Sequence, residues 1–384
     1  MTRKNFGVLR IVINAGFVCL MIFGCSFLND YQDSGQLSLK GLKAPVKVMR
    51  DEKGMAYIYA QNADDAFMAH GFVTAQDRLF QMEFLRRLAQ GRISEFAGQQ
   101  ARALSSGPLA IGSNNWAVSG KFSKSGKPIV ANDPHMDARI LPGPFYPCAL
   151  ITPDFRFIGI NVPGVEGMVA FRNEYIAAGI TNAYGDAQDL YVETVDPNNP
   201  ENYLEGGSSI PFTILEENLS IKDKQAPDGR RQETIKIKLT RRGPVISDIF
   251  PRLNTDKVLT LRWASFETIQ SEIGLDRLML ARSVSEFRAA LKDLNFIALN
   301  FVFADVQGNL GWQTSGKLPI RLQKDSTLPY EVKSTKDNWI GWIPFEEMPH
   351  AINPERGWIG TCNHFTPKNN YPYYYSSYAA AVVR

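Results

Sequence analysis

Gly112-Ser113-Asn114-Asn115-Trp116-Ala117-Val118-Ser119-Gly120, followed by Gly126-Lys127-Pro128-Ile129-Val130-Ala131-Asn132-Asp133-Pro134-His135, is the stretch on which the reading of this chain turns. It sets a small residue and a hydroxyl where a loop ends and a strand begins, with β-type runs at Trp116 to Ser119 and Pro128 to Ala131. Upstream, Gln99 to Gly112 is rich in Ala, Ser and Gly and contains Pro108, so it reads as a loop. A serine after a glycine at a strand start is ordinarily structural. Its meaning depends on what surrounds it.

Before that loop, Phe72, Ala75, Leu79, Met82 and Leu85 recur at steps of three and four with charged residues between them. This spacing predicts a long amphipathic helix from Asp64 to about Ala89, ended by Gly91. Earlier still, Val46 to Arg50 and Met55 to Tyr59 flank Asp51-Glu52-Lys53-Gly54, a hairpin pattern. Downstream the chain is mostly short β-type runs: Phe157 to Val162, Tyr191 to Val195, Thr234 to Leu239, Val258 to Trp263 and Phe301 to Ala304. Ser285 to Leu294 is the clearest helix of this β-rich part, which begins at Ser113.

At the N-terminus, Arg3, Lys4 and Arg10 precede an apolar run from Ile11 to Phe23 that is short for a membrane-spanning helix. The order of charge, apolar run and small residue predicts export to the periplasm or cell envelope. Met21-Ile22-Phe23-Gly24-Cys25-Ser26 resembles a bacterial lipoprotein signal, with Cys25 the lipidated residue; a plain secretory signal and an uncleaved anchor are the alternatives. Residues 1–25 are therefore expected to be a signal segment, and membrane contact to be through the lipid alone. Of the other cysteines, Cys148 and Cys362 read equally as a disulfide or as two buried thiols.

The 384 residues, 44% hydrophobic and 21% charged, exclude a disordered chain and allow one large domain or two smaller ones. A formal net charge of +3, spread thinly, gives no electrostatic footprint for nucleic acid. The cysteines make no zinc pattern. There is no GxSxG elbow, HExxH, Walker loop or GxGxxG after a strand, and the four histidines, His70, His135, His350 and His364, form no local triad.

The opening stretch resembles the start of the catalytic chain of penicillin acylases. The order of blocks continues through Gly179-Ile180-Thr181-Asn182, Asp186-Ala187-Gln188-Asp189-Leu190-Tyr191-Val192-Glu193, Arg242-Gly243-Pro244-Val245, Leu261-Arg262-Trp263, Asn300 to Asp305 and Gly316-Lys317-Leu318-Pro319-Ile320-Arg321. Upstream, His70 to Met82 with Arg86 and Arg87 resembles the first helix of the family's smaller chain. The resemblance implies an α+β fold with a four-layer αββα core, an N-terminal-nucleophile hydrolase. It also implies a precursor that cuts itself between Gly112 and Ser113, leaving 26–112 as a smaller-chain segment and 113–384 as the front part of the catalytic chain.

The freed Ser113 then supplies both nucleophile and base, because an α-amine with a pKa of about 7.7–8.0 is partly neutral near neutral pH. By the same resemblance the oxyanion is met by the backbone N–H of Asn182 and the side-chain amide of Asn363. A buried Arg supporting that amide matches Arg384, and His135 falls beside the new amine. The implied substrate is a small N-acyl amide, of penicillin or N-acyl-homoserine lactone type, and the implied partner is the chain's own cleaved smaller segment. No organic cofactor is expected.

A calcium ion is implied at Asp186, the Gln188 carbonyl, Asp189 and the Pro319 carbonyl; solvated turn aspartates are the alternative, because two further family carboxylates have no counterpart here. Relative to the family, the smaller-chain segment is shortened between Phe96 and Gly112, and the catalytic chain is expected to continue beyond the position of Arg384. Two function classes therefore stand, an amidohydrolase and an inactive exported protein or gene fragment that keeps the fold for binding.

Overall fold

The computed structural model describes residues 34–98, 110–136, 141–248, 257–270, 272–323 and 326–376. Residues 44–384 form one compact unit, separate from 1–43. Cys25 and Arg384 lie outside the described residues, as do the signal segment and most of the predicted loop.

The expected hairpin forms, Lys47–Arg50 against Ala56–Tyr59, with Gly54 donating to the Asp51 carbonyl across the turn (2.9 Å). The expected helix spans Ala63–Ala89, its N-terminus closed by Asn62, whose side chain accepts from the Asp65 N–H at 2.9 Å. Its first half buries Ala66, Ala69, His70, Val73 and Thr74. Arg78 leaves helical geometry, and its guanidinium donates to the Gly143 carbonyl at 3.2 Å. Beyond this kink Leu79 and Phe80 face outward, 64% and 73% exposed, so the predicted apolar stripe does not hold along the whole helix.

Nine strands make the large sheet, in the order Lys47–Arg50, Ala56–Tyr59, Tyr146–Ile151, Arg156–Asn161, Ala170–Arg172, Ile176–Asn182, Leu299–Asp305, Leu310–Thr314 and His350–Ile352. The pair Ala56–Tyr59 with Tyr146–Ile151 is parallel, while the neighbouring pairs are antiparallel. A small sheet holds Trp358–Thr361, Ala110–Val118 and Ile129–Met136.

Strand alternation assigns the layers. Along Leu299–Asp305, Phe301 and Phe303 pack into a core with the long helix and with the helices Leu275–Leu280 and Val284–Ala290. Val302 and Ala304 point the other way, onto Ala117 and Ile359 of the small sheet. The molecule is thus α+β, with helices, large sheet and small sheet stacked in that order. The predicted helix at Ser285 to Leu294 appears as Val284–Ala290 followed by a 3₁₀ turn at Leu291–Asp293.

Candidate active site

Ser113 lies in the middle strand of the small sheet, opposite Pro134, and is 9% exposed. The strand is irregular between Ala110 and Gly112, just before the serine. Ser113 Oγ donates to the Gly112 carbonyl oxygen at 2.7 Å, while the Ser113 N–H donates to Asn363 Oδ1 in a short contact. Asn363 has φ +61°, a left-handed conformation that asparagine tolerates better than most residues, and this turn directs its amide at the junction. A side chain at Gly112 would meet His135 Nδ1 at 3.3 Å and Asn363 Oδ1 at 3.4 Å, so the peptide before Ser113 fits closely between those two groups.

Three residues to which sequence reasoning gave no role fix the strand in place. Asn115, buried, donates to the carbonyls of Gly179 (3.1 Å) and Asn300 (3.2 Å) on the large sheet and accepts from Thr361 Oγ1. Asn132 exchanges hydrogen bonds with the Ile180 backbone, 2.7 Å to its carbonyl and 3.2 Å from its N–H. Thr361 also meets Thr181 across the sheets at 2.7 Å. Asparagine is disfavoured in strands, so Asn115 and Asn132, directly flanking the β-type runs Trp116 to Ser119 and Pro128 to Ala131, were the available signal that these side chains replace ladder or packing contacts.

Asn182 and Asn363, the residues expected to meet the oxyanion, are bonded to each other. Asn363 Nδ2 gives one of its two N–H groups to the Asn182 carbonyl at 2.8 Å, while its Oδ1 is taken by the Ser113 N–H. The physical reason is the intact peptide: the buried Ser113 N–H needs an acceptor, and meeting it turns the carboxamide so that its donor faces Asn182. His135 lies opposite Gly112 in register, with Nε2 2.9 Å from Asp133 and 3.1 Å from the Asn114 amide. It borders the junction from the Gly112 side, and hydrogen bonds from His135 and Asn114 hold the Asp133 carboxyl below the usual range. Beyond the site, Cys148 is a buried free thiol pushed up to about 12 by burial, and Cys362 is exposed, also free, with Sγ 3.3 Å from His364 Nδ1. No disulfide joins them.

Two of the expected calcium residues, Asp186 and Asp189, come together around a different cation. Arg321, whose side chain is inaccessible, donates from Nε to Asp189 Oδ2 at 2.8 Å and from Nη2 to the Asp186 carbonyl at 3.0 Å. Trp339 Nε1 donates to the same Asp189 oxygen, and Ser326 to Asp186 Oδ2. Burial raises Asp189 above the usual carboxylate range, with Arg321 and Trp339 pulling it back. Pro319 starts the strand Pro319–Arg321 that delivers the arginine. Calcium requires about six to eight oxygen ligands, and among the described residues no group of three His, Cys, Asp or Glu side chains is placed to hold a metal ion. This donor set does not fit calcium.

The sequence model of the penicillin amidase family matches residues 45–106 and 101–384. The chain belongs to that family. The match falls in two pieces that meet at the predicted loop. Penicillin acylase 2 proenzyme of Pseudomonas sp. (strain SE83) is 28% identical over 485 residues, covering 89% of this chain and 61% of that protein. The acyl-homoserine lactone acylase QuiP of Pseudomonas aeruginosa is 32% identical over 287 residues, 72% of this chain and 33% of that protein. The thermostable penicillin G acylase of Alcaligenes faecalis has the same fold, with a TM-score of 0.55 at 19% identity over 69% of this chain and 47% of that one. This member of the penicillin amidase family therefore spans between about a third and three fifths of these relatives' lengths.

Proposed function

We propose that this chain is an amidohydrolase for small N-acyl amides, of the penicillin or N-acyl-homoserine lactone type, that frees its nucleophile by cutting itself between Gly112 and Ser113. The reading rests above all on one observation: Ser113 Oγ lies 2.7 Å from the oxygen of the carbonyl it must attack, while Asn363 holds the adjoining N–H. In the first step Oγ bonds to the Gly112 carbonyl carbon, the carbon–nitrogen bond breaks, and the nitrogen takes the proton that Oγ gives up. Water then hydrolyses the ester, leaving a Gly112 carboxylate and a free Ser113 amine. Loss of the peptide frees Asn363 from its amide N–H acceptor role, and its Nδ2 with the Asn182 N–H becomes the donor pair for the acyl oxyanion. One such donor contributes about 2.7–4 kcal/mol in a comparable site.

In turnover the Ser113 amine takes the hydroxyl proton as Oγ attacks the acyl carbon. That proton passes to the leaving amine, and water cleaves the acyl ester. His135 flanks the new amine. The names of the relatives, a penicillin acylase and an acyl-homoserine lactone acylase, support the substrate class.

Intact mass and N-terminal sequencing of purified protein, beside Ser113→Ala, test the reading. Two pieces with Ser113 leading the larger, and a single chain in Ser113→Ala, are expected. A chain that stays whole after long incubation sinks the nucleophile assignment and leaves binding without turnover. We also infer export with a lipid on Cys25; unchanged membrane recovery of Cys25→Ser, with no lipid mass on the unaltered protein, refutes it.

A further inference from the structure

We propose that the acidic pair Asp186 and Asp189 is a metal-free node whose resident cation is the Arg321 guanidinium, so that the loop running from Asn182 to Asp189 is fixed without calcium.

Arg321 contacts both acids at once. Nε and Nη2 reach Asp189 Oδ2 at 2.8 Å, the Asp186 carbonyl at 3.0 Å and Asp186 Oδ1 at 3.3 Å. Donors reach three of the four carboxylate oxygens, reducing the lone pairs open to a hard cation. Trp339 Nε1 faces Asp189 Oδ2, Ser326 Oγ and the Tyr374 hydroxyl (3.4 Å) face Asp186 Oδ2, and the Gln188 N–H faces Asp186 Oδ1 at 3.2 Å.

An N–H cannot ligate a cation, and a guanidinium already between the acids repels a divalent ion through space. The remaining Nη1 of Arg321 has no acceptor among the described residues, and the guanidinium instead lies 5.1 Å from the centre of the Tyr374 ring. The Trp339 ring also lies near both Arg262, at 4.4 Å, and Arg321, at 6.0 Å.

The node matters for the candidate site because the segment it anchors begins at Asn182, whose carbonyl holds Asn363. A divalent ion would make that segment dependent on metal supply; a covalently supplied cation does not.

The test uses the full chain and needs no catalytic turnover, so its failure and failure of the proposed amidohydrolase are separable. Elemental analysis after purification in calcium-containing buffer should find no bound calcium, and the thermal midpoint should be the same in EDTA and in millimolar calcium. Terbium, a calcium mimic whose emission the adjacent Trp339 would sensitise, should give no sensitised signal. Arg321→Gln should melt at lower temperature, and in this variant calcium should raise the midpoint and terbium should light up. One calcium per chain, or a midpoint that falls in EDTA, overturns the proposal. So does an Arg321→Gln variant as stable as the original. If Arg321→Gln fails to fold, the calcium, EDTA and terbium measurements on the unaltered protein decide alone.

Discussion

Arg242→Met should lower the stability of this protein by about 3–5 kcal/mol, the usual cost of stripping one partner from a buried ion pair. The Arg242 side chain is inaccessible and reaches three carboxylates: Glu193 at 3.1 Å, Glu205 at 2.7 Å and Asp337 at 2.8 Å. Two of them keep another partner when it is gone, because Arg241 contacts Glu205 at 2.9 Å and Asp337 at 2.6 Å. Glu193 does not. Among the described residues it retains only the hydroxyls of Thr240 (3.1 Å) and Thr260 (2.9 Å) around its fully buried side chain. Whole-protein stability is about 5–15 kcal/mol, so the loss is a large share of it. With a urea slope of about 3 kcal/mol per molar, the midpoint should fall by about 1–1.7 M.

The double variant Arg242→Met with Glu193→Gln removes the stranded charge and should recover about half of the loss, since a neutral buried amide costs about 1–3 kcal/mol. Equilibrium urea unfolding followed by tryptophan fluorescence measures both. A single variant within about 1 kcal/mol of the unaltered protein, or a double variant no better than the single, refutes the assignment of Glu193 as the dependent partner.

Three further outcomes follow from the geometry. Gly179→Ala would place a methyl 2.8 Å from Asn132 Cβ, between the two sheets, and should cost about 1–3 kcal/mol and slow self-cleavage, read by urea midpoint and by gel. Asn115→Ala removes the side chain that bonds Gly179, Asn300 and Thr361, and should destabilise by about 2–4 kcal/mol while slowing self-cleavage more than Gly112→Ala does; equal cleavage rates count against the clamp. Burial lowers the His70 pKa, with the Asn161 side chain opposing, so the unfolded chain takes up a proton below about pH 6.5 that the folded chain resists. Stability should therefore fall as pH drops through that value toward the folded pKa, and His70→Gln should flatten this part of the profile between pH of about 7.5 and 5.5 in urea titrations.

Elements whose signals are local were legible in the sequence. The turn at Asp51 to Gly54 and the stop at Gly91 lie beside the residues they organise, and the hairpin and helix follow them closely. What escaped depends on distant partners. The kink at Arg78 is held by the carbonyl of Gly143, 65 positions away. Asn115 acts through Gly179 and Asn300, and Arg321 through Asp186 and Asp189 more than a hundred positions earlier. The motif Gly316 to Arg321 was visible as a block, yet periodicity says nothing about which loop its arginine will neutralise. At the junction, Ser113, Gly112, His135 and Asn363 lie together, while the bonds that Asn363 makes to the Ser113 N–H and the Asn182 carbonyl were not legible in the sequence.

The parallel pairing of Ala56–Tyr59 with Tyr146–Ile151 joins strands from opposite sides of the Gly112–Ser113 bond. Ala56, Ile58, Ala66, Ala69 and Val73 from the earlier side are buried in the same core as Cys148, Phe157, Phe301 and Phe303 from the later side. Cutting that bond therefore leaves two polypeptides that travel together and separate only in denaturant. It also changes the route back. Before the cut, strand and helix find the sheet as parts of one tether, at an effective concentration set by the linking chain; afterwards they must meet as independent molecules, and renaturation depends on dilution. A processed protein of this topology would outlast its own ability to refold, its native state remembered by an event its two chains can no longer repeat.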